Sequence, residues 1–69
     1  MKTLAPHQQR VADELAQLEQ RISDLCRFIA SSSIFPSLPA AEQSRLRRQL
    51  MAMTLYAGIL SDRIEAFTA

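Results

Sequence analysis

An all-α antiparallel two-helix hairpin that assembles into a helical-bundle oligomer is the fold class this sequence predicts. Three observations carry it. Val11, Leu15, Leu18, Ile22, Leu25 and Ile29 follow one another at spacings of 4, 3, 4, 3 and 4, an unbroken seven-residue seam. Leu46, Leu50, Met53, Ala57, Leu60, Ile64 and Phe67 form a second seam at spacings of 4, 3, 4, 3, 4 and 3. Between them lies a short serine- and proline-containing break, so the two seams can face each other in a hairpin. Sixty-nine residues make one domain, 1–69, with a first helix at about 6–30, a connection at 31–38 and a second helix at about 39–67.

The first helix begins at Pro6, whose missing N–H is no loss in a first turn; residues 1–5 are expected to be loose. Asp13, Glu14, Gln17, Glu19, Gln20, Arg21, Ser23, Asp24 and Arg27 lie away from its seam. This helix therefore reads as one-sided, with a solvated back.

The break is Ser31-Ser32-Ser33-Ile34-Phe35-Pro36-Ser37-Leu38-Pro39. Serine hydroxyls compete with the helical backbone for hydrogen bonds, and Pro36 cannot continue a helix. Phe35 and Leu38 are too apolar for a free loop and are expected to plug the open end of the hairpin. Pro39 suits the first turn of the second helix, with Glu42 placed where the helix dipole favours a carboxylate.

The second helix is unlike the first. Residues 50–60, Leu-Met-Ala-Met-Thr-Leu-Tyr-Ala-Gly-Ile-Leu, carry no charge. A helix that is apolar all round must be covered all round, and a short hairpin has one other helix to offer. Beyond the seam lie a second stripe, Ala52, Tyr56 and Ile59 with Gln49 and Arg63 at its ends, and a third side bearing Met51 and Leu55. Gly58 lowers helix stability by about 1 kcal/mol against alanine, and close approach of another helix is its expected reason. The second helix is thus expected to be the inner helix of a homo-oligomer, through Met51, Ala52, Leu55, Tyr56, Gly58 and Ile59. At this size a core alone seldom supplies more than about 3–5 kcal/mol, so a further staple is needed. One cysteine excludes a disulfide within the chain, and one cysteine and one histidine argue against a structural zinc.

Eight basic against seven acidic residues leave a net charge of +1, which gives no general drive toward nucleic acid or acidic lipid. Nucleic-acid and membrane partners are therefore not expected. No apolar run approaches the ~20 residues of a membrane span. The lone cysteine and the lack of an apolar stretch behind Met-Lys-Thr-Leu-Ala-Pro suggest a cytoplasmic setting.

No nucleophile–base pair, phosphate loop or metal-spaced acid cluster is present, so neither catalysis nor a cofactor is expected. His7 reads as a solvated surface residue, and Cys26, beside the seam, as a small buried hydrophobe. Two features could bind a ligand. Arg45, Arg47 and Arg48 lie in the first turns of the second helix, either as a solvated face with Glu42–Arg45 pairing or as a grip on a phosphate or carboxylate. Tyr56 and Arg63 lie seven residues apart on one face, near Gln49. They could make a polar contact between subunits, or line a shared pocket in which a nucleotide stacks on tyrosine and pairs with arginine.

The stretch Phe35-Pro-Ser-Leu-Pro-Ala-Ala-Glu-Gln, then Leu46-Arg-Arg-Gln49, then Met53, Tyr56, Ile59-Leu60 and Arg63-Ile64 resembles a family of short phage and prophage proteins named after a protein of a crAss-like phage. Glu14-Leu15, Leu18, Ile22, Leu25 and Phe28-Ile29 fit as well, so the resemblance covers about residues 8–67. Met51 and Leu55 stand where relatives would carry more polar residues, which strengthens an interface here. The resemblance implies a phage setting in the cytoplasm of a bacterial host. Small oligomeric phage proteins often counter host defence. Some sequester nucleotide signals between subunits, and others block or bridge a host protein.

Overall fold

The computed structural model describes residues 3–68. Helix α1 spans Pro6–Ser31 and helix α2 spans Ala40–Thr68. They lie antiparallel: Thr3, Leu4 and Gln8 border Phe67 and Thr68 at one end, and at the other Phe28 of α1 and Arg47 of α2 both meet Phe35. The result is a rod of 49 × 16 × 16 Å. Its length is that of α2 itself, since 29 residues rising ~1.5 Å each give about 44 Å.

The two seams form the core. Val11, Leu18 and Leu60 are buried, Leu60 completely, and Leu15, Ile22, Met53, Ala57, Ile64 and Phe67 pack around them. Each seam residue sits three or four positions from the next, so side chains one turn apart interleave across the helix pair. No buried side-chain nitrogen or oxygen lacks a partner among the described residues.

The ends of the helices are set by short-range hydrogen bonds. At the start of α1 the Ala5 N–H donates to Gln8 Oε1 at 2.9 Å, while Ala5 and Leu4 are half-buried. Ala5 is therefore held, unlike the loose start expected for residues 1–5, because the Gln8 side chain satisfies an N–H that the helix cannot. Residues 1 and 2 lie outside the described residues. At the other end of α1 the Ser32 N–H donates to the Phe28 carbonyl, and Ser32 turns extended.

The connection holds a short 3-10 turn, Phe35–Ser37. Serine hydroxyls stitch it together: Ser32 Oγ accepts from the Ile34 N–H at 3.0 Å, and Ser37 Oγ–H donates to the Ile34 carbonyl at 2.6 Å. Gln43 reaches back from α2, its side-chain amide donating to the carbonyls of Leu38 at 2.9 Å and Pro36 at 3.3 Å. Pro39 stands just outside the helix. Its carbonyl accepts from the Gln43 N–H at 3.0 Å, so it serves as the cap and not as a first-turn residue.

Phe35 plugs the end of the hairpin, as expected, with 3% of its surface exposed. Its ring meets Phe28 edge to face, centroids 6.1 Å apart, and the Arg47 guanidinium lies 5.1 Å from its centroid. Leu38 is half-buried beside it.

Candidate functional site

The α2 surface turned away from α1 is where the expected interface and ligand residues fall. Met51 and Leu55 are each 70% exposed, Ile59 is 50% and Tyr56 42%. Ala52 and Gly58 are exposed among them. At ~100° per residue Leu55 stands opposite the centre of the Met53, Ala57, Leu60 and Ile64 seam. The second stripe and the third side are thus one broad apolar band. Apolar residues on opposite sides of one helix mean that a single neighbour leaves half of them in water. Isolated exposed leucines are ordinary, whereas a contiguous band of this kind marks an interaction surface.

A Cβ added at Gly58 would meet nothing within 4 Å. The close approach expected at this glycine is therefore not made by α1. Within the hairpin nothing requires glycine at this position.

The arginines do not form one cluster. Arg45 Nε donates to Glu42 Oε1 at 2.8 Å on one flank of α2. Arg47 lies over the Phe35 ring. Arg48 is exposed, at a helix angle within the apolar band. Consecutive residues diverge by ~100° on a helix, so adjacent arginines face different surroundings. Of the two readings of this run, the Glu42–Arg45 pair belongs to the solvated one. The Phe35–Arg47 contact was not anticipated; an aromatic residue in the connection followed by a cation two to three turns into the next helix is the signal that could have found it.

Tyr56 and Arg63 share a flank, two turns apart, with Gln49 two turns before Tyr56; all three are exposed. Gln49 makes only a long contact, 3.8 Å from its Nε2 to Met53 Sδ. A single chain brings no second wall to this trio. Two depressions lie elsewhere. One, of 460 Å³, is lined by Asp24, Arg27, Phe28, Ser31 and Ser32; the other, of 450 Å³, by Thr3, Leu4, Gln8, Phe67 and Thr68.

Cys26 is exposed, which corrects its reading as a buried hydrophobe. It sits about 100° round from Leu25, and one packing neighbour buries a stripe too narrow to reach it. His7 is exposed on the first turn of α1. Among the described residues no group of histidine, cysteine and acids could hold a metal, and no helix is long and apolar enough to cross a membrane.

No curated protein and no solved structure matches the chain. A family model does, and its match runs from the cap of α1 to the last turns of α2. It takes in both seams, the plugged connection and the exposed band, and it is the model of the Sequestin family over residues 5–66, so the chain belongs to that family.

Proposed function

We propose that this protein acts by binding and not by catalysis, as a homo-oligomer that sequesters a small anionic ligand, a nucleotide signal, between subunits. Sequestration is what the family's name denotes. The observation that carries the ligand class is the exposed Tyr56–Arg63 pair on the helix flank that borders the apolar band. A tyrosine ring offers a stacking surface to a base, and a guanidinium two turns away offers paired donors to a phosphate. Gln49 adds a donor and an acceptor beside them. Arg45 and Arg47 already have partners within the chain, which leaves Arg63 as the cation nearest the tyrosine on this flank. In a phage, such binding in the bacterial cytoplasm would remove a signal that host defence depends on.

The test is thermal shift of the full chain against cyclic nucleotides and ADP-ribose derivatives. A ligand that binds only the native state raises the melting temperature, by the equivalent of about 2.7 kcal/mol at a hundredfold excess over Kd. We expect a clear rise with at least one member of the panel. Tyr56→Ala and Arg63→Ala should each abolish the rise while leaving the helical circular dichroism spectrum intact. No stabilisation by any member would defeat the proposal.

A second reading takes the same apolar band as the seat of a host protein, blocked or bridged by helix-in-groove contact. Met51 and Leu55, the most exposed large side chains, favour it. Capture of a defined host protein that is lost in Met51→Glu or Leu55→Glu, with the oligomer intact, would establish this reading over the first.

A further inference from the structure

The exposed band of α2 has a mirror order about Leu55. Three residues away on either side stand Ala52 and Gly58, four away Met51 and Ile59, seven away Arg48 and Asp62. Small residues match small, large apolar residues match large, and the basic residue matches the acidic one. Taking ~100° per residue from Leu55, Arg48 and Asp62 lie about 20° to either side, Met51 and Ile59 about 40°, Ala52 and Gly58 about 60°. All are exposed. Arg48 and Asp62 make no ion pair among the described residues. They stand about 21 Å apart along one helix, so they cannot pair within a chain.

We infer that this face binds a second copy of the chain, antiparallel, with the two-fold axis at Leu55. A two-fold perpendicular to the helices reverses height along α2 and leaves each flank on its own side. Leu55 then packs on the partner's Leu55, Met51 lies level with the partner's Ile59, and Arg48 meets the partner's Asp62 in two symmetric ion pairs. A parallel pairing would instead set Arg48 against Arg48 and Asp62 against Asp62. Seven-residue spacing of Arg48, Leu55 and Asp62 is the repeat of a left-handed supercoil, so the contact can run the whole length.

The flanks differ. On one side Arg47 comes within about 3 Å of height of the partner's Glu65, and the charges cancel. On the other side Tyr56 lies beside the partner's Tyr56, and Gln49 beside the partner's Arg63. Glu42 is the one acidic α2 residue there, and it is already paired with Arg45. The two-fold therefore builds a groove with two tyrosines at its centre and an uncompensated arginine at either end. This groove would be the ligand site of the sequestration reading, and it is incomplete in one copy; that part of the inference rests on that reading, while the register does not.

The test uses the full chain without ligand. Light scattering should give twice the 7.8 kDa chain mass. Arg48→Asp sets two carboxylates opposite each other, and Asp62→Arg sets two guanidiniums opposite each other. Each should raise the dimer dissociation constant about tenfold or more by sedimentation equilibrium, and the double swap should return it to within about threefold of the parent. Leu55→Cys in a Cys26→Ser background should oxidise to a covalent dimer. A 7.8 kDa particle at ~100 µM, or a double swap as weak as the single ones, overturns the inference. The two readings fail separately. A rescued dimer that no nucleotide stabilises removes the sequestration reading alone, whereas a nucleotide-binding oligomer that the double swap fails to rescue removes the two-fold alone.

Discussion

Leu60 and Phe35 show how few side chains hold this hairpin shut. Leu60 has no exposed surface and sits at the centre of the seam; Phe35 is 3% exposed and seals one end. Large-to-small changes at such positions cost about 2–5 kcal/mol for leucine and about 3–5 kcal/mol for phenylalanine. We expect Leu60→Ala or Phe35→Ala to consume most of the stability of so small a domain, as read by urea unfolding of the far-ultraviolet circular dichroism signal. Arg47→Ala, which removes an exposed cation from over the Phe35 ring, should cost only about 0.5–1 kcal/mol. The burial of Leu60 and Phe35 is legible from the sequence, because the first continues a seam and the second is an aromatic residue in a connection. The exposure of Cys26 is not, because a residue next to a seam is buried or bare according to how many neighbours its helix has.

Between the helices the connection works as a sewn joint more than as a free loop. Gln43 ties the first turn of α2 to the carbonyls of Pro36 and Leu38. Each such bond contributes about 0.5–1.5 kcal/mol net, so Gln43→Ala is expected to lower stability by about 1–2 kcal/mol in urea titrations without changing helix content. Serines and prolines announce a break in the chain, but a side chain reaching back seven residues leaves no periodic mark, and neither does the capping of α1 by Gln8. Within α2, Gly58 faces open space. Gly58→Ala should therefore strengthen the hairpin of a dilute sample by about 1 kcal/mol through helix propensity alone. The two-fold sets the partner's Met51 on the same flank as Gly58 and within about 1.5 Å of its height, so the same change is expected to loosen self-association, and sedimentation separates the two effects.

For the molecule as a whole, the defining trait is that α1 is apolar on one side and α2 on two. The seams, the hairpin and the excess apolar circumference of α2 can all be read from spacing, because helical periodicity assigns each residue an angle. The arrangement of the candidate site is only partly readable in this way. Angles put Tyr56, Arg63 and Gln49 on a common flank and scatter Arg45, Arg47 and Arg48, yet they do not show that Arg45 and Arg47 find partners within the chain. A fold whose second face is completed by another copy has a stability that depends on concentration. Its melting temperature should climb as the chain is raised from ~1 to ~100 µM, and a flat response would mean that the hairpin stands alone.

The bare sulfur on α1 has a use of its own. It is the single thiol of the chain, and it rides on the helix away from the apolar band. A spin label or fluorophore attached at Cys26 would leave the band untouched and carry the separation of two rods as a spectroscopic distance. Antiparallel copies centred on one leucine would place a pair of such labels at one fixed span, and any other packing would place them at a different one.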